Sequence, residues 1–295
     1  MTSPYVQGTT LPLQSDGQSL HVTVVQAFPP TLSCASVVSL DWPSLKLKGT
    51  YVLKVFDRRF ATQLRRDSKA KSWTPEVEKR YHQFASTGGL SRLIPYISQK
   101  ETDEDWSETD ERWDQAQLET YLQYRSLKLY KTEKEVYGIL HAFQGKDIPY
   151  LYANVNIKTA TGPDYENYDC PGILMEYVQG FPLTDIERYA PQANWQGICE
   201  RAIRIVNQIG EKGIRNEDVK TRSFIIKSNG KVAMIDFASC VVRRPGQSKE
   251  DWEEWKAMQD EEGAVGCTME KKLKGKFTYK RSMESRRLMD RYMRE

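Results

Sequence analysis

Asp218 and Asp236 bracket a short stretch that reads as one β-hairpin. Asp218 precedes the run Ser223-Phe224-Ile225-Ile226-Lys227, and Asp236 follows Val232-Ala233-Met234-Ile235. Ser228-Asn229-Gly230 joins the two runs, and an Asn-Gly pair between apolar segments is a strong short-range hairpin signal. Such a hairpin returns Asp236 toward Asp218 and sets two acids at one end of one ribbon. Acids so placed can divide the work of phosphoryl transfer: one orients an acceptor hydroxyl, the other holds magnesium on the phosphates. Each also has a plain structural reading, Asp218 as a loop acid and Asp236 as a turn aspartate.

Other chemistries are poorly supplied. The five cysteines (Cys34, Cys170, Cys199, Cys240, Cys267) are scattered without a C-x-x-C pair, which argues against a disulfide framework or a zinc site. The three histidines (His21, His82, His141) lie apart from one another and from the cysteines. Basic and acidic residues nearly balance at 43 and 40, so nucleic acid is not the expected partner. The basic, aromatic-bearing C-terminus (KKLKGKFTYKRSMESRRLMDRYMRE) reads as a solvated helical face. No apolar run reaches membrane-spanning length, and the N-terminus lacks a secretory pattern, so a cytoplasmic or nuclear protein away from membranes is expected.

The elements that must position the two acids follow from periodicity. Residues 19–27, 35–41 and 49–56 alternate or run apolar between Pro and Gly breaks, which predicts an antiparallel β-meander. Residues 60–127 are highly charged, with an acidic stretch at 101–116 that reads as a loop or the start of a solvated helix. Helical spacing runs over 115–143 through Leu118, Tyr121, Leu122, Leu127, Tyr130, Tyr137 and Leu140, with Glu133 and Glu135 on or beside the stripe. Strands are expected at 149–155 and 172–178, helices at 183–192 and 193–212, and further helix from about 250. The order gives an α+β chain, β-rich first and α-rich second.

The segment from Ile214 to Ala238 resembles the catalytic loop (H-R-D-L-x-x-x-x-N) and metal-binding loop (D-F-G) of protein kinases. Val52-Leu53-Lys54-Val55-Phe56 is similar to the family's V-A-I-K strand, Glu133 to its helix-borne glutamate, and Leu174-Met175-Glu176-Tyr177-Val178 to its hinge. The likeness extends to a group of fungal kinase-like proteins through VLKVFDRRFA, QGKDIP and QDEEGAVG. It implies a bilobal protein-kinase-like fold, with a β-rich N-lobe over 1–178 and a truncated α-rich C-lobe over 179–295. It also implies ATP and Mg2+ as cofactors. Lys54 would position the phosphates, Glu133 would brace Lys54, and Met175, Glu176 and Val178 would line the nucleotide site. Asp236 and Ser223 would bind metal, and Asp218 would orient the hydroxyl of a protein or small-molecule acceptor. The alternative is a catalytically inactive pseudokinase serving as a binding or scaffolding module.

Several positions depart from that pattern. No G-x-G-x-x-G precedes Lys54, and the phosphate-covering turn falls in Phe28-Pro29-Pro30-Thr31-Leu32, where two prolines lack amide donors. Asn216 stands for the family's histidine, Glu217 for its arginine, Ser223 for its asparagine and Ala238 for its glycine, and there is no A-P-E. Strand alternation also permits Lys54 to face solvent, and Glu135 competes with Glu133. The acids of QDEEGAVG are expected to cap a helix or pair with the basic tail.

Overall fold

The computed structural model describes residues 3–101, 103, 112–158 and 169–293; the greater part of the acidic stretch 101–116 lies outside them. The chain divides into two compact units, Met1–Lys131 with Tyr152–Met175, and Thr132–Leu151 with Glu176–Glu295.

The first unit opens with four consecutive strands, β1 (Thr10–Ser15), β2 (Gln18–Ala27), β3 (Cys34–Trp42) and β4 (Leu47–Val55). Helices α1 (Thr62–Asp67), α2 (Pro75–Ser86) and α3 (Gly89–Lys100) follow, then the first part of α4 (Gln115–Ile139), then β5 (Leu151–Ile157) and β6 (Cys170–Glu176). The six strands form a closed barrel in the order β1-β2-β3-β4-β6-β5. Alternation fills it: Leu11 and Leu13 of β1, Val22 and Val24 of β2, Leu53 and Val55 of β4, and Val155 and Ile157 of β5 share one apolar core.

This barrel overturns the bilobal protein-kinase-like fold implied by the resemblance. A kinase small lobe is an open sheet. Here β1 pairs antiparallel with β2 along its length and with β5 through Gln14 and Asn156, which removes the open edge. The signal for β1 lies in the N-terminal segment, ahead of the first strand expected at 19–27. Thr10–Ser15 alternates exposed and buried, and Asp16 and Gly17 both take positive φ, 47° and 76°, as a two-residue hairpin turn requires.

Next to β4, charged side chains are buried in compensating pairs. Arg58 donates to Glu119 at 2.6 Å and to both oxygens of Glu78, and Arg65 donates to Glu119 at 2.7 Å. The network ties α1, α2 and α4 together, and Arg58, Arg65 and Glu119 depend on their partners because solvent hardly reaches them.

The second unit begins with the end of α4, from Thr132 onward. It continues through β7 (Phe181–Pro182), α5 (Ile186–Tyr189), α6 (Trp195–Glu211), β8 (Ile214–Asn216), β9 (Phe224–Ile226), β10 (Val232–Met234), β11 (Cys240–Val242), α7 (Lys249–Gln259), α8 (Glu261–Leu273) and α9 (Met283–Tyr292). Its strands make a three-stranded sheet, β10-β9-β7, and a two-stranded one, β11-β8. Trp195, Ile198, Ala202, Ile205, Val206 and Ile209 give α6 a buried stripe at helical spacing. Among the described residues, no helix is long and apolar enough to cross a membrane.

Candidate functional site

The expected hairpin forms as β9 and β10, with Gly230 at φ 74° in its turn. A second pairing encloses it: β8, just before Asp218, runs antiparallel to β11, just after Asp236, with Asn216 opposite Cys240. Both acids therefore leave paired strands at the same end, as the hairpin argument requires.

Asn216 joins them. Its side chain is almost wholly buried, at 1% exposure. Its Oδ1 accepts the Asp218 N–H at 2.9 Å and its Nδ2 donates to the Asp236 carbonyl at 3.0 Å. Its own N–H donates to Glu261 Oε1 at 2.8 Å. Ser223 enters the same patch through its carbonyl, which accepts the N–H of Ile235 at 2.8 Å. Asp218 is half-buried and ion-paired with Lys220. The Asp236 side chain is exposed, and its backbone lies at φ 74°, in the left-handed region that disfavours most L-residues. Ala238 does not share that conformation, so the turn asks no glycine there.

Phe237 anchors the turn in the core, with its ring edge-on to Tyr137 at 5.5 Å between centroids. Tyr137 follows Glu133 by one helical turn on α4. Burial pushes the Tyr137 phenol well above its ordinary range, and the charges of Glu133, Asp236 and Glu176 push it further the same way. Three of the expected site acids thus act on one buried hydroxyl.

Glu133 and Glu135 differ sharply in burial. Glu133 is 0% exposed, on the buried stripe with Val136, Tyr137 and Leu140. Glu135 turns outward and forms a two-pronged pair with Arg244, one contact at 2.9 Å. Glu176 is held by its neighbours: its carboxylate accepts the Tyr150 N–H at 3.2 Å and the Lys227 ammonium at 3.4 Å. Val178 is buried close by in sequence.

Lys54 and Met175 belong to the first unit. Lys54, on β4, is 7% exposed, so the solvent-facing alternative does not describe it; its ammonium lies 5.5 Å from the Phe56 ring centroid. Gly172 of β6 lets the strands approach: a Cβ there would meet the Lys54 carbonyl at 2.8 Å. Met175 is buried at the end of β6.

Among the described residues, no group of three or more His, Cys, Asp or Glu could hold a metal. Magnesium commonly takes only one or two carboxylates and completes its shell with phosphate oxygens and water. Asp236, whose side chain is exposed, would supply such a carboxylate.

The acids of QDEEGAVG do what was expected of them, and one does more. Asp260 caps α8 by accepting the Gly263 N–H and binds Arg281 through two contacts of 2.5 Å. Glu262 accepts from Asn207, Tyr279 and Ser282. Glu261 instead reaches the Asn216 backbone, and burial raises its carboxyl to about 7. Neither Asn216 nor Glu261 was expected at the site. An asparagine two residues before Asp218 does carry an Asx-turn signal, whereas nothing local marks Glu261.

No protein-family model matches the chain. Local similarity exists to serine/threonine-protein kinases. "Serine/threonine-protein kinase pakA" of Talaromyces marneffei is 24% identical over 79 residues, 26% of this chain and 12% of that protein. "Serine/threonine-protein kinase PAK mbt" of Drosophila melanogaster is 27% identical over 70 residues, 23% of this chain and 11% of that protein. The chain spans only about a tenth of the length of the curated relatives it matches.

Proposed function

We propose that the chain is an ATP- and magnesium-dependent phosphotransferase acting on a hydroxyl of a protein or a small molecule. The observation that carries this reading is the Asn216 side chain, bonded at once to the Asp218 N–H and the Asp236 carbonyl. It holds two differently exposed acids in fixed relation, and phosphoryl transfer needs two acids with separate tasks. The local similarity to serine/threonine-protein kinases supports the same class.

ATP with magnesium would supply the transferable phosphoryl group and the cation that offsets its charge. Asp236, the more exposed acid, is assigned to the metal. Asp218 is assigned to orienting the acceptor hydroxyl and receiving its proton, with Lys220 moderating its charge. Lys54 is assigned to the phosphates, Glu133 to bracing Lys54, and Met175, Glu176 and Val178 to the nucleotide's surroundings.

A catalytically silent binding module is the second reading. The 5% exposure of Ser223 favours it, because a buried hydroxyl is poorly placed to reach a metal at the phosphates. Thermal-shift titration with ATP and Mg2+ tests nucleotide binding, which stabilises the folded state by mass action. A rise in Tm that shrinks in Asp236→Asn and in Lys54→Met is expected. No rise at millimolar nucleotide would remove the phosphotransferase reading and leave the silent binding module.

A further inference from the structure

Away from the acid patch, the first unit contains a cavity of about 420 Å3 walled by Arg59, Phe60, Arg65, Arg66, Ser72 and Trp73, with no carboxylate among the described residues that line it. Its volume falls within the range of small-ligand sites, roughly 300–1,000 Å3. Two of its arginines are fixed from behind. Arg65 commits its N–H groups to Glu119, to the Arg58 carbonyl and to the Lys71 carbonyl, so it props the loop. Arg59 grips Asp57 through Nε at 2.8 Å and Nη2 at 2.7 Å, and its Nη1 makes no bond among the described residues. Tyr5 also donates to Asp57, at 2.8 Å.

The local charge is then uneven. Asp57, Glu78 and Glu119 offset Arg58, Arg59 and Arg65. Arg66, Lys69 and Lys71 are exposed and make no ion pair among the described residues, and Asp67 is the one acid on their loop. Beside these cations lie aromatic faces. The Arg59 guanidinium is 5.3 Å from the Phe60 ring centroid and 5.7 Å from that of Trp73. The Trp73 ring is held in place by its N–H donating to Glu78 at 2.7 Å.

A planar guanidinium with spare donors favours phosphate, and neighbouring rings favour a flat apolar body. The geometry points to a binding site for a small aromatic phosphate ester, with its phosphate on Arg59 Nη1 and Arg66 and its ring against Phe60 and Trp73. Ser72 offers a further hydroxyl donor. This site is independent of the phosphotransfer reading.

The test is thermal-shift titration of the full chain with phenyl phosphate, inorganic phosphate and phenol at constant ionic strength. Phenyl phosphate should raise Tm at lower concentration than phosphate, and phenol should not raise it. Arg66→Ala, at an exposed position, should weaken phenyl phosphate about tenfold. Asp236→Asn should leave it unchanged. The assignment is overturned if phenyl phosphate fails to bind at millimolar concentration or binds no more tightly than phosphate. It is equally overturned if Arg66→Ala leaves its affinity intact or Asp236→Asn abolishes it.

Discussion

The side-chain amide of Asn216 donates to the backbone carbonyl of Asp236 at 3.0 Å, twenty residues away in sequence, from a position that solvent barely reaches. The same side chain accepts the Asp218 N–H, so the relation between the two acids rests on one residue. Substitution there should be felt at both loops. Asn216→Ala should cost about 2–3 kcal/mol, the loss of two buried hydrogen bonds. Asn216→Asp keeps the acceptor for Asp218 but sets an oxygen against the Asp236 carbonyl, so it should be at least as damaging. Urea denaturation of both variants checks this.

Glu261 should make stability depend on pH near neutrality. Its folded carboxyl sits at about 7 because burial disfavours the charge, whereas an unfolded glutamate titrates near 4.3. The folded state therefore binds this proton more tightly. This contribution is fully present below about pH 4, falls as pH rises, and levels off above about pH 7. The loss across that window is on the order of 3 kcal/mol. Glu261→Gln keeps an oxygen for the Asn216 N–H without the charge. Denaturation midpoints should show this variant gaining on the wild type between pH 5 and 8, by an amount on the order of the same figure.

Glu133 and Glu135 should behave as opposites although they stand two residues apart. Glu135→Gln breaks an exposed pair with Arg244 and should change stability by less than about 1 kcal/mol. Glu133 is buried among apolar neighbours and is the residue assigned to Lys54. Glu133→Gln should weaken ATP–magnesium binding, while Glu135→Gln leaves it intact. Calorimetric titration of the two variants side by side measures this.

Leu13 tests the barrel. It is fully buried on β1, the strand that closes the sheet onto β5. Leu13→Ala should cost about 2–5 kcal/mol, as for other core truncations to alanine. A change below 0.5 kcal/mol, of the size seen for surface substitutions, would mean that β1 is dispensable and the barrel reading is wrong.

Much of this was legible in the chain itself. The hairpin through Asn229-Gly230, the helical stripe through Glu133 and the meander ending at Lys54 all follow from local patterns, and the structure has them. The barrel was missed because Thr10–Ser15 is short and polar on one face, and because closure through β5 pairs residues more than a hundred positions apart. Asn216 reads as a departure from a motif because two of its partners, the Asp236 carbonyl and Glu261, are brought near only by the folded chain. Glu261 was hidden for the same reason: three adjacent acids look alike in sequence, and only burial separates the one that reaches the Asn216 backbone from the two that hold the basic tail.

The most direct measurement is transfer of the γ-phosphate of ATP, with magnesium, to water or to a hydroxyl acceptor, compared among wild type, Asp218→Asn and Asp236→Asn. Measurable transfer by the wild type is predicted. It should fall about 10²–10⁴-fold in Asp218→Asn while nucleotide binding persists, and it should fall together with binding in Asp236→Asn. A wild type that binds ATP–magnesium yet transfers nothing, or an Asp218→Asn variant as active as the wild type, would contradict the account.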